Sequence, residues 1–178
     1  MDAEDIHDVF RDKEGSEYIA GEATIDAVLD VIRSKELSVL EIGGGIGTLS
    51  FTVLYNTLNT IDIYEDNEFC LGELKKNLHG FEDRYTIITD YQKLPPRRQY
   101  DLIIVDGGKG CRSTGYPRLV AAYLASLSGI KIIIVDGQRK VQRYWILETI
   151  RNQYFFKVTK YEKDEKCCLK LECEPGGS

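Results

Sequence analysis

Five short, almost unbroken apolar runs recur along the chain, at residues 38–42, 60–64, 85–89, 100–105 and 130–135. Runs this short and this continuous belong to strands buried on both faces, the condition of a parallel sheet. Around them lie segments of helical character at 17–33, 48–58, 68–78, 117–126 and 141–153, the first carrying Ile25, Val28, Leu29 and Ile32 on one face. Pro117 near the start of its segment fits a first helical turn, where the missing N–H costs nothing. The style then changes: residues 155–162 and 167–172 alternate and flank the polar Lys163-Asp164-Glu165-Lys166, which signals a hairpin. The expected architecture is α/β, three layers around a mostly parallel seven-stranded sheet closed by an antiparallel C-terminal hairpin. A dinucleotide-binding sheet would normally continue with a sixth parallel strand instead. With 178 residues and 43% hydrophobic content there is material for one core. The expected organisation is a flexible segment at 1–16, one domain at 17–173 and a disordered tail at 174–178.

The sharpest chemical signal follows the first apolar run, in Glu41-Ile-Gly43-Gly44-Gly45-Ile-Gly47-Thr48. Glycines at the carboxyl end of a strand let the backbone turn sharply and let a ligand lie against it. The helix that follows offers free N–H groups to that ligand. Such a loop alone is weak information, because dinucleotide enzymes use a related device. Here, however, the glycines do not read G-x-G-x-x-G, and an acid stands two residues before the first of them. The second run ends in Glu65 and Asp66, and the third is followed by Asp90 and Tyr91. An acid at the second strand tip, about 20 residues past the loop, can accept both ribose hydroxyls of an adenosine.

These residues resemble the class I, Rossmann-like S-adenosylmethionine-dependent methyltransferases, whose first motif is E/D-x-G-x-G-x-G. The resemblance covers roughly residues 18 to 172. It implies that Glu41 meets the amino-acid end of S-adenosylmethionine, that Gly43, Gly44, Gly45, Gly47 and Thr48 line its path, and that Glu65, with Asp66 beside it, holds the ribose. It implies further that Asp90 binds the adenine amino group with Tyr91 packed nearby. The segment containing Gly21 and Thr24 would close over the methionine end.

Methyl transfer from a sulfonium is a direct displacement, so a protein must align donor and acceptor and manage one proton. The candidates are Asp106 and Lys109 after the fourth run and Asp136 after the fifth. Asp106-x-x-Lys109 resembles the equivalent stretch of cation-dependent O-methyltransferases, which implies a metal-ligating aspartate and a lysine base. Asp136 matches that group's second acidic ligand, but Gly137 stands where an asparagine usually follows. Two carboxylates could still hold Mg²⁺ with waters. The loop at 107–116 is expected to contact the acceptor. Arg112, Arg139 and Lys140 read as surface charge, with an anionic group of the acceptor as their other use. The implied activity is an S-adenosylmethionine-dependent methyltransferase, in first place an O-methyltransferase, acting on a small-molecule acceptor. The competing readings are a binding module that keeps the pocket without the chemistry and a nicotinamide-dependent oxidoreductase.

Composition narrows the partners. A formal net charge of −6 gives no strong nucleic-acid signal, although Pro95-Pro96-Arg97-Arg98 is a local basic spot. The amino-terminal acids Asp2, Glu4 and Asp5 do not form a secretion signal, and no apolar run is long enough to cross a bilayer. Five cysteines without a C-x-x-C, including adjacent Cys167-Cys168, fit reduced, buried thiols and a cytoplasmic location. Cys111 has no histidine near it in sequence, only His7 and His79 being present, so a Cys–His hydrolase is disfavoured. No added domain for a macromolecular acceptor is visible, which leaves a partner or a homodimer to supply any further surface.

Overall fold

A computed structural model of the chain describes residues 1–33, 36–90, 99–107, 115–127 and 129–176, with the side chains of 115 and 116 left aside. The strands are β1 (Ser38–Ile42), β2 (Thr60–Tyr64), β3 (Tyr85–Ile88), β4 (Leu102–Val105), β5 (Ile132–Val135), β6 (Tyr154–Lys163) and β7 (Lys166–Pro175). The helices are α1 (Ala3–Arg11), α2 (Glu22–Ile32), α3 (Thr48–Asn56), α4 (Glu68–Asn77), α5 (Gly115–Ser126) and α6 (Lys140–Ile150). The sheet runs β3-β2-β1-β4-β5-β7-β6. Its first five members are parallel, and β7 lies antiparallel between β5 and β6. This is the expected three-layer α/β sandwich with its closing hairpin.

The apolar runs lack alternation because both faces of the sheet are covered. Val39, Ile61, Ile63, Leu102, Ile104 and Ile134 pack with α1, α2, α3 and Leu74 of α4. Leu40, Ile42, Ile103, Val105, Ile133 and Val135 point the other way, toward Val120 and Leu124 of α5 and Ile146 and Ile150 of α6. The hairpin turns on Asp164 and Glu165 alone, with φ of 48° and 62°, since Lys163 and Lys166 already pair. Two consecutive left-handed residues form the turn whose twist matches that of the strands.

Both chain ends depart from expectation. Residues 1–16, expected as a flexible segment, contain α1. Asp2 caps it by accepting from the Asp5 N–H at 2.9 Å, and Asp5 returns the contact to the Asp2 N–H. Acids in a first turn also suit the helix dipole. Ala3, Ile6 and Phe10 form its buried face, and the Phe10 ring meets Phe51 edge-on at 5.5 Å. At the other end, Glu174 and Pro175, expected in a disordered tail, extend β7 opposite Phe155 and Tyr154. Among the described residues no helix is long and apolar enough to cross a membrane.

Candidate functional site

The order of the sheet reverses between β1 and β4, where successive connections leave to opposite sides. In open α/β sheets the crevice at the carboxyl ends of such strands is where ligands bind. A cavity of about 390 Å³ lies there, within the usual range for small-molecule sites. Its wall includes Gly43 and Gly45 after β1, Glu65 and Asp66 after β2, Asp106 and Gly107 after β4, and Asp136 and Arg139 after β5. Glu17, Tyr18 and Ile19, just before α2, close one side.

The glycine loop is held by close backbone approaches. The N–H groups of Gly43 and Gly44 both donate to the Tyr64 carbonyl, at 2.9 and 3.0 Å. Gly43 has φ of +94°, and a Cβ there would stand 1.5 Å from the Asp106 carbonyl oxygen. Gly44 is tight for a different reason, facing Ile63 and Leu74 of the core rather than the cavity. Gly47 is the cap of α3, and Thr48, its first residue, is buried with its Oγ1 unpartnered. Glu65 organises the rim from the next strand: its Oε2 accepts from Gly45 N–H at 2.8 Å, and its Oε1 accepts from Asp66 and Asn67 N–H at 2.9 and 2.8 Å. A carboxylate has about four acceptor positions, and the described residues fill three of them, one on Oε2 being left over. Asp66 accepts from the Tyr64 hydroxyl at 3.2 Å.

Other expected contacts are placed elsewhere. Glu41 is only 1% exposed and points into the helical layer, where Ser50 of α3 donates to its carboxylate. Burial pushes its pKa up to about 8, against the Ser50 hydrogen bond, with repulsion from Glu65 adding to the rise. Thr24, also buried, donates its hydroxyl to Asp136 rather than to the cavity. Asp90 lies two residues past β3 and is absent from the cavity wall among the described residues. Tyr91, Lys109, Cys111 and Arg112 lie outside the described residues, as does the basic spot at 95–98.

Asp106 and Asp136 come together from their strand tips, with a cation of their own. The Arg139 Nη1 stands 3.8 Å from Asp106 Oδ1 and 3.8 Å from Asp136 Oδ2. Burial holds the Asp106 carboxyl well above the usual carboxylate range. Asp136 adds to this through charge and a hydrogen bond, and Arg139 opposes it. A divalent cation does not fit this arrangement. The Arg139 guanidinium already meets charge of the pair, and among the described residues no three His, Cys, Asp or Glu side chains converge on a metal position. Asp106 and Asp136 thus face a guanidinium where Mg²⁺ with waters is the sequence expectation. Arg139 reads as a surface charge in the sequence because nothing in its local pattern reveals that α6 begins over the carboxylate pair. Carboxyl ¹³C NMR tests this electrostatic picture. Asp106 should titrate well above the ordinary range, rise further in Arg139→Gln, and fall in Asp136→Asn.

Two polar atoms here are buried without a hydrogen-bond partner among the described residues: Nη1 of Arg139 and Oε1 of Gln142, one turn further along α6. The Gln142 Nε2 donates to the Gly107 carbonyl at 3.2 Å and so ties α6 to the cavity wall. Each such orphan typically costs about 1–3 kcal/mol, which a ligand that pairs with it recovers. A second cavity of about 230 Å³ adjoins the first at Ile19 and Asp136, lined further by Gly137, Gln138, Lys166 and Cys167. The four described cysteines are all free and buried.

The fold is that of the Rossmann-like methyltransferases. Solved structures that share it include an O-methyltransferase of Bacillus cereus in complex with SAH, at 13% identity with 96% of this chain and 90% of that one covered and a TM-score of 0.72. A proposed RNA methyltransferase of Pyrococcus horikoshii matches at 14% identity, 96% and 98% coverage and a TM-score of 0.71. A precorrin-6y C5,15-methyltransferase of Geobacter metallireducens matches at 17% identity, 92% and 94% coverage and a TM-score of 0.68. No family model matches the sequence, and no curated protein does. At these identities the common property is the fold, and the three names span different acceptor classes.

Proposed function

We propose that this protein transfers a methyl group from S-adenosylmethionine to a hydroxyl, or an amine, of a small-molecule acceptor. The reading is carried by one observation: a cavity at the topological switch point whose wall joins the glycine loop, the Glu65–Asp66 tip and the Asp106–Asp136 pair. In this reading the loop backbone and Glu65 hold the adenosine, with the free lone pair of Glu65 Oε2 on a ribose hydroxyl. Bound there, S-adenosylmethionine supplies an electrophilic methyl on a sulfonium. Asp106, Asp136 and Arg139 then form the end of the cavity that meets the acceptor, and the carboxylate pair receives the proton that the acceptor loses. The adjoining 230 Å³ cavity, which shares Asp136, supports a small acceptor. The arrangement of Arg139 favours a metal-independent reaction, so EDTA should leave turnover unchanged.

Calorimetry with S-adenosylmethionine and, separately, NAD tests the reading. Saturable binding of the methyl donor is expected, weakened by about 1.5–3 kcal/mol in Glu65→Ala, which removes charge-assisted hydrogen bonds both to the ligand and to Gly45. Preference for NAD would instead establish the oxidoreductase reading. Donor binding without turnover across hydroxyl and amine acceptors would leave a binding module.

A further inference from the structure

The position of Arg139 assigns it more than a charge-balancing role. Its side chain lines the main cavity, and its Nη1, buried and without a hydrogen-bond partner among the described residues, stands at 3.8 Å from both carboxylates, beyond hydrogen-bond reach of either. Its guanidinium also lies against Gly137, where an added Cβ would stand 3.7 Å from Nη1, and Gly137 lines the second cavity. Arg139 therefore sits at the seam between the two spaces, and its Nη1 makes no hydrogen bond among the described residues. A guanidinium stays protonated at every working pH, so the spare donor is permanent. The groups of opposite charge that face it are Asp106 and Asp136.

We propose that Arg139 seats the acceptor's hydroxyl oxygen, its Nη1 donating to that oxygen while the adjacent carboxylate pair takes the proton. This rests on the functional reading above and narrows it to a hydroxyl acceptor bound without metal. The step balances. The acceptor O–H bond breaks heterolytically and its proton passes to the ionised carboxylate of the pair. An oxygen electron pair forms the new O–CH₃ bond, and the electrons of the broken C–S bond remain on the donor's sulfur as a thioether. A preorganised donor aimed at an oxygen that gains negative charge is the arrangement that lowers such a barrier. Arg139 thus occupies the role that a cation would otherwise fill.

The test uses 4-nitrophenol as probe, because its ionisation is read directly by absorbance. It is titrated into the full chain saturated with S-adenosylhomocysteine, in EDTA. The expected result is that the bound probe ionises about one pH unit lower than free probe, a tenfold shift. Arg139→Gln should erase the shift and weaken probe binding about tenfold, while Arg139→Lys should restore part of it. Thermal melting followed by circular dichroism establishes that each variant is folded, and the lysine variant keeps the test decisive where the glutamine variant is not. Absence of probe binding to the loaded protein, a shift that survives Arg139→Gln, or a shift that appears only with added Mg²⁺ would each overturn the proposal. Failure of S-adenosylhomocysteine itself to bind would overturn the functional reading, and this inference with it. The two failures are thus read from separate measurements.

Discussion

Gly43→Ala is expected to destabilise the protein by about 4 kcal/mol or more, enough to leave much of it unfolded at ordinary temperature. Two effects add. The residue has φ of +94°, outside the region that L-residues adopt without strain. The added Cβ would also stand 1.5 Å from the Asp106 carbonyl oxygen, with the Asp106 carbonyl carbon at 2.7 Å and the Gly107 Cα at 3.1 Å. These are backbone atoms of a neighbouring strand tip, so no side chain can swing away to relieve the contact. Relief requires β1 and β4 to part at their carboxyl ends, against the bond from Asp106 N–H to the Ile42 carbonyl at 2.9 Å. Gly44→Ala makes the contrast. The atoms its Cβ would meet most closely are side-chain methyls of Ile63 and Leu74, at 2.5 and 2.9 Å, so its cost should be smaller and of the overpacking kind. Urea denaturation of both variants checks this. A Gly43→Ala midpoint equal to that of the parent would show that the two strand tips do not approach as described.

The same residue shows why so much of the fold was legible. A backbone approach this close tolerates only glycine, so the constraint is written directly in the sequence. The strands were equally open to reading, since burial on both faces leaves continuous apolar runs such as 102–105. The helix α1 is also written locally, in Asp2 opposite Asp5 and in the Ala3, Ile6 and Phe10 spacing. Less legible is what depends on distant parts of the chain. Glu41 fits the motif position by sequence, yet its direction is set by a hydroxyl nine residues on, at Ser50. Arg139 is one more basic residue until β4 and β5 bring Asp106 and Asp136 beneath it. Local pattern fixes which strand tip a side chain belongs to. Partners across the chain fix where it points.

Glu41→Gln is expected to stabilise the protein at pH 7 by about 3 kcal/mol, the cost of a carboxyl whose pKa rises from 4.5 to about 8 on burial. The direction follows from proton counting. Between those two values the folded state holds a proton that the unfolded chain has lost, so stability falls as pH rises. This contribution is fully present below pH 4.5 and is gone above about pH 8. Urea midpoints from pH 5 to 9 should therefore decline in the parent, with a flatter course in Glu41→Gln. An unchanged slope would mean that Glu41 is not the buried neutral acid described. A residue that costs stability beneath the glycine loop, held by the hydroxyl and backbone N–H of Ser50, is expected to serve the site. The resemblance assigns it the amino-acid end of S-adenosylmethionine, a role it can reach only by leaving Ser50. On that reading Glu41→Gln gains stability and loses donor affinity together, and calorimetry beside the urea series separates this from a purely structural acid, for which affinity would stay unchanged.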